Sequence, residues 1–347
     1  MIIVSFVTNF LFFTLCSVLL SFKGNAAILM SGSSTVYPFA TVLAEEFAYK
    51  TNIQTPIVES IGTGGGFSAF CMGNGVNSPD IVNASRPIKK LEQVHCMKNG
   101  VSYTPVIIGI DAIILAMHSN NEKSALIHSL TDSEIFKAFA REVVIDGKIV
   151  TNPYEKWSQI NPKLPDFEII IYGPPSTSGT RDSFTQIALV QYCSKMLEFK
   201  EKYKEKLEQG CSLIRNDGRF IESGENDTFI VHKISLRKGS IGIFGYSHYM
   251  ENKTKLHAVK INGVNPNSYS ISTGQYKISR PLFLYFKNAS LQNNLDLQKF
   301  FKEVKSPDAI GFGGYLESYH LIPLDKQFLA NHKLNEIDSN LTELKDV

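Results

Sequence analysis

The chain has 347 residues, too many for one ordinary core, and this points to two domains. Its 43% hydrophobic and 20% charged residues are those of a globular protein, and a formal charge of +2 argues against nucleic acid or an acidic surface as partner. Neither a fixed-period repeat nor a low-complexity tract is present.

The first 22 residues, MIIVSFVTNFLFFTLCSVLLSF, carry no charged side chain, and Lys23, Gly24, Asn25, Ala26 and Ala27 follow. This reads as a signal peptide, residues 1–26, cleaved after Ala26 or Ala27 and directing export to the periplasm. The alternative is an uncleaved anchor, because about 20 apolar residues can span a bilayer. Cysteine usage agrees with export. Removal of Cys16 leaves Cys71, Cys96, Cys193 and Cys211, and the short intervals make Cys71–Cys96 and Cys193–Cys211 the natural pairs, although three pairings exist formally.

AILMSGSSTVYPFATVLAEEFAYKT then reads as strand, turn and helix, with Phe39, Val42, Leu43 and Phe47 as an apolar stripe and Pro38 in the first turn. TPIVESIGTGGGFSAFCMG repeats the plan through a glycine-rich turn, and PDIVNAS is a further short strand ended by Arg86 and Pro87. VIIGIDAIILAMH is a β-rich run long enough to cross between domains, with Asp111 at its middle. SLTDSEIFKAFAREV carries a capping-box pattern at Thr131 and Glu134. FEIIIYG is a buried strand leading into GPPSTSGTRDSF; GSIGIFGYSHYM and LHAVKING are later strands, YKISRPLFLYFKN is a second long β-rich run, and NLDLQKFFKEVKS is helical. This alternation predicts α/β layers.

Three strand-to-helix loops carry the chemistry: Ser33-Ser34-Thr35, Thr63-Gly64-Gly65-Gly66 and Ser178-Gly179-Thr180-Arg181. A helix start presents unpaired N–H groups and a partial positive charge, Gly admits an anion to the backbone, and Ser or Thr adds donors. Arg181 would add a permanently charged fork. Each loop by itself is also an ordinary N-cap. Enzyme motifs fare worse. The P-loop pattern is missing, GTGGGF lacks the last glycine of a dinucleotide fingerprint, GYSHY lacks the second glycine of a nucleophile elbow, and His-Glu-x-x-His does not occur. The scattered histidines, His95, His118, His232 and His257 among them, read as surface or strand residues, so neither a metal nor a cofactor is expected.

SGSSTVYPFA, ESIGTGGGFSAFC, PDIVNASRPIK, GPPSTSGTRDSF and INGVNPNSYSISTGQYKISRPLFLYFK together resemble the phosphate-binding proteins of bacterial ABC phosphate uptake systems, from about Ile28 to Pro323. The resemblance implies an α/β, two-lobed, type II periplasmic-binding fold with the ligand cleft between lobes. Residues 28–117 with 275–347 would form lobe one, and 118–274 lobe two. It implies a monomeric receptor for inorganic phosphate, serving a membrane ABC permease and catalysing nothing. Ser34, Thr35, Thr63, Ser178, Gly179 and Thr180 match family ligand positions. Two positions depart from the family pattern. Arg86 stands where well-known members have an Asp that accepts the phosphate proton, and Pro174 stands where they have an Arg. Arg86 and Arg181 are therefore the expected cations, Arg181 the main one, with Asp111 as proton acceptor and Asp182 as the next candidate. The competing readings are a receptor for sulfate, molybdate or tungstate, and a secreted phosphate-ester hydrolase with Ser34 or Ser178 as nucleophile.

Overall fold

The computed structural model describes residues 27–75, 78–120, 126–224 and 226–324. The predicted leader, residues 1–26, and the last residues assigned to lobe one lie outside the described residues. A mixed sheet organises the molecule. Its strands are β1 (Leu29–Gly32), β2 (Ile57–Ser60), β3 (Ile81–Ala84), β4 (Tyr103–His118), β5 (Ile171–Gly173), β6 (Phe220–Glu222), β7 (Ile241–Gly245), β8 (Leu256–Ala258) and β9 (Ser279–Lys287). They lie in the order β2-β1-β3-β9-β4-β7-β5-β6, with β8 also on β4.

The sheet has two parallel halves, β2-β1-β3 and β7-β5-β6, and antiparallel strands join them. The joining element is β4, a 16-residue strand buried from Val106 to Met117. Nine of its first ten residues pair with β9, the register shifting past Ile108; from Ile113 onward it pairs with β7 and β8. A strand buried on both faces needs a near-continuous apolar run, and VIIGIDAIILAM supplies one. The single charged residue of that run, Asp111, sits opposite Arg280 in the register, at the place where β4 changes partner.

Local chemistry explains the other elements. Helix α1 (Tyr37–Thr51) opens with Pro38 and closes on Asn52 in the left-handed conformation, φ 54°. Its buried Phe39, Leu43 and Phe47 face the helix Leu295–Val304, with Phe47 edge-on to Phe300 at 5.2 Å. Burying each such side chain contributes about 1.5–3 kcal/mol. The capping box forms as read, with Glu134 N donating to Thr131 Oγ1 and Thr131 N donating to Glu134 Oε2. A two-residue turn at Asp146 and Gly147, both with positive φ, closes the hairpin of Glu142–Ile145 with Lys148–Thr151. Disulfides join Cys71 to Cys96 and Cys193 to Cys211, closing sequence separations of 25 and 18. Both are the expected pairs. Among the described residues no helix is long and apolar enough to cross a membrane.

One buried cation stands apart from the site. Lys287, at the end of β9, donates to the Gly73 carbonyl at 2.7 Å and Ser78 Oγ at 2.6 Å, and lies 4.8 Å over the Phe70 ring. Burial pushes this ammonium down to about 8, against a smaller opposing pull from Asp80. Below pH 8 the lysine is charged in both the folded and unfolded chain. Between about 8 and its ordinary 10.5 the unfolded chain holds a proton that the folded protein has released, so stability from this group rises with pH. Wild type is therefore expected to gain on the order of 1–2 kcal/mol relative to Lys287→Met between pH 7 and pH 10, after allowance for solvent screening. Denaturant melts at the two pH values check this; a gap that is flat or shrinks would contradict it.

A candidate anion site between the lobes

The three loops singled out in the sequence converge. Ser34 and Thr35 precede α1. Helix α2 (Thr63–Phe70) begins directly after Gly62, and helix α3 (Gly179–Phe184) begins after its cap, Ser178, whose Oγ accepts the Thr180 N–H. Close approach demands glycine at two points. A Cβ on Gly32, which has φ 144°, would come within 2.1 Å of the Asn83 carbonyl oxygen. A Cβ on Gly179 would fall 2.2 Å from Ser85 Oγ and 2.3 Å from Thr63 Oγ1. The start of α3 is thus pressed against the start of α2, and Ser183 Oγ donates to the Ser85 carbonyl at 3.0 Å.

At the centre is Arg280. It is 3% exposed, and its guanidinium touches both sides of the cleft. Nη1 donates to the Gly179 carbonyl at 2.9 Å; Nη2 reaches Thr35 Oγ1 at 3.2 Å, Thr180 Oγ1 at 3.0 Å and Asp111 Oδ2 at 3.2 Å. Thr35 Oγ1 and Thr180 Oγ1 lie 2.6 Å apart. The other Asp111 oxygen accepts the Tyr246 N–H at 2.9 Å. Burial pushes the Asp111 carboxyl up and Arg280 pulls it back; burial pushes Arg280 down, with Asp111 opposing. A guanidinium cannot lose its charge at ordinary pH. Nε of Arg280 is buried and has no partner among the described residues. A buried donor left unmade costs about 1–3 kcal/mol, and an acceptor along that edge would recover it.

The structure brings together Thr35, Thr63, Asp111, Gly179 and Thr180, with Ser178 as the cap. Ser34 lines a neighbouring cavity together with Thr35, Asp227 and Glu251. The two expected cations, Arg86 and Arg181, each bond to carboxylates. Arg181 pairs with Glu222 and lies 4.8 Å over the Phe220 ring. Arg86 makes a two-point bond to Glu92, at 2.9 and 2.8 Å, and donates from Nε to Asp182 at 2.9 Å. Sequence reasoning passed over Arg280 because it sits in a run read only as β-rich. The usable signal was a lone arginine inside an apolar strand, the counterpart of the lone aspartate in IGIDAI.

Asp182 also accepts from Lys89 Nζ at 2.8 Å, so α3 is clasped by two cations from the segment that follows β3. Asp182→Asn is expected to weaken anion binding by about 0.7–1.4 kcal/mol, or roughly 3- to 10-fold, through faster dissociation. Stopped-flow release measurements check this, and an unchanged dissociation rate would show that the cluster does not hold the lobes.

A family model for the PBP superfamily domain matches residues 22–316. Protein SphX of Synechococcus elongatus is 33% identical over 266 residues, covering 75% of this chain and 68% of SphX. The phosphate-binding protein PstS of Staphylococcus saprophyticus is 31% identical over 300 residues, covering 84% and 81%. Among solved structures, a possible phosphate binding protein from Planctomyces limnophilus is 28% identical with TM-score 0.55, covering 90% of this chain and 99% of the other. A Clostridium perfringens protein solved with bound phosphate is 22% identical with TM-score 0.63, covering 86% and 100%, and shares the two-lobed fold.

Proposed function

The chain belongs to the PBP superfamily and, within it, to the family of PstS-type phosphate-binding proteins, and on that premise we propose that it is an exported, monomeric receptor that captures inorganic phosphate and delivers it to an ABC permease. The observation that carries the reading is the buried Arg280 guanidinium, which has an unused N–H and is flanked by the Thr35 and Thr180 hydroxyls. A permanent charge with neutral donors in a dry cleft suits a tetrahedral oxyanion. Thr63 and the amides at the starts of α2 and α3 complete the proposed cage. Residues 28–117 with 275–347 form one lobe in this proposal and 118–274 the other, and the change of partner along β4 supports a crossover at that point. Closure of the lobes around the anion would exclude water.

In this reading the protein has no catalytic role. The Ser178 hydroxyl accepts the Thr180 amide as a helix cap, an arrangement that supports binding rather than nucleophilic attack. Titration calorimetry of phosphate-stripped protein against phosphate and sulfate tests the proposal. Saturable phosphate binding at the micromolar level or tighter, with sulfate weaker, is expected. Heat with sulfate alone, or phosphatase turnover by the purified protein, would overturn it.

A further inference from the structure

Resting on the reading of the cleft as a phosphate site, we propose that the Cys71–Cys96 disulfide is a positioning element of that site. It holds the far end of α2, whose first turn faces the anion, so tight retention of phosphate is a property of the oxidised protein. Cys71 directly follows α2, and Cys96 lies in the helix Lys90–Lys98. Both cysteines are fully buried.

Helix α2 needs outside support. It is eight residues long, and Gly64, Gly65 and Gly66 fill its first turn. Glycine is among the poorest helix formers, and so short a helix does not stand alone in water. Its cap, Gly62 with φ 79°, has no side chain to accept from the first amides. A stronger helix former does not fit at 66, where a Cβ would lie 2.8 Å from Gly32 Cα and 2.9 Å from the Ser31 carbonyl oxygen. The features that leave this turn's amides open to an anion are therefore the ones that weaken the helix. What fixes it lies at its other end. Phe67 and Phe70 are buried, Phe67 is edge-on to Tyr285 at 5.0 Å, and Cys71 is bonded to Cys96.

The same bond joins α2 to the clasp on α3. Glu92, in the first turn of the helix that carries Cys96, holds Arg86 at two points, and Arg86 and Lys89 hold Asp182. Asp182 belongs to α3, whose Gly179 is pressed against Thr63. Cys193–Cys211 is placed differently. From α3 the chain runs on through a π-helix, Thr185–Val190, to Cys193, with Phe184, Leu189 and Val190 buried along the way. Ser178 caps its start. That start is secured without the second disulfide.

Two double variants make the test. Cys71→Ala/Cys96→Ala and Cys193→Ala/Cys211→Ala open sequence separations of 25 and 18, so their losses of stability should be similar. Phosphate release is measured by stopped flow at a temperature where circular dichroism shows each variant folded. Release from Cys71→Ala/Cys96→Ala is expected to be about 10-fold faster than from wild type, with association within about twofold, because the cage is loosened while the Arg280 charge stays. Release from Cys193→Ala/Cys211→Ala should stay within about twofold of wild type. Adding Gly65→Ala to the first variant should slow its release again by about threefold, since alanine strengthens the helix. A Cβ at that position meets only Ile61, at 3.4 Å or more. Should the alanine pair fail to fold, Cys71→Val/Cys96→Ala refills part of the lost volume and carries the same expectation. Equal release rates from the two disulfide variants, or no recovery with Gly65→Ala, would overturn this inference and leave the receptor reading standing. Absence of phosphate binding by wild type would overturn the receptor reading itself.

Discussion

Arg280→Ala is expected to weaken phosphate binding by about 2–5 kcal/mol, roughly 30- to 4,000-fold, the cost of removing one partner from a buried charge contact. The guanidinium bonds to Thr35, Gly179, Thr180 and Asp111, and it is 3% exposed, so its charge is not screened by solvent. Arg280→Lys should recover part of the affinity, because an ammonium keeps the charge but cannot reproduce the planar fork. Arg181→Ala makes the contrast. Its guanidinium lies on Glu222 and Phe220, and that variant should change affinity by less than about 0.5 kcal/mol, the scale of a surface contact. Calorimetry on the three variants ranks the cations, and a larger loss for Arg181→Ala than for Arg280→Ala would return the main role to Arg181.

Asp111→Asn is expected to destabilise the anion-free protein by about 3–5 kcal/mol, since it strips a buried arginine of its counter-charge. The amide makes matters worse locally. One Asp111 oxygen accepts from Tyr246 N and the other from Arg280 Nη2, so an NH₂ group in either position meets a donor. Bound phosphate supplies the missing negative charge, so added phosphate should raise the melting temperature of the variant more than that of wild type. The same substitution bears on selectivity. A carboxylate can accept the hydroxyl of a protonated phosphate, whereas sulfate at neutral pH has no proton to give. If Asp111 is the acceptor, the phosphate-to-sulfate affinity ratio narrows in Asp111→Asn. An unchanged ratio would remove Asp111 from that role and leave Asp182, which already accepts from Arg86 and Lys89.

Much of the architecture was legible because it rests on local rules. The alternation of strands and helices, the capping box at Thr131, the crossing strand around Asp111 and the two cysteine pairs each have a short-range signal. The loops at Thr35, Thr63 and Thr180 were legible as helix starts, although their meeting was not, since it depends on the contact between Gly179 and Ser85 across 94 positions of sequence. The cations were the hardest part. Arg86 and Arg181 adjoin ligand-like motifs, but each has carboxylates within reach that only the fold brings there: Asp182 for one and Glu222 for the other. Arg280 lies 100 positions from Thr180 and 245 from Thr35. What distinguishes it, a charge facing Asp111 inside a buried sheet, is a property of register and not of any motif.

That register fixes an order of events. Arg280 and Asp111 belong to β9 and β4, neighbours in one sheet, so in the proposed receptor a rigid swing of one lobe away from the other would leave their pair in place. The same swing would part Thr180 from Thr35 and α3 from Thr63, which are in contact here. An arriving ion would therefore meet a fixed charge first and the neutral hydroxyls only afterwards. Encounter then depends on ionic strength through a single arginine, and residence depends on how long the hydroxyls stay engaged. The association rate should fall with added salt, while the dissociation rate should respond to substitutions at Thr35, Thr180 and Asp182.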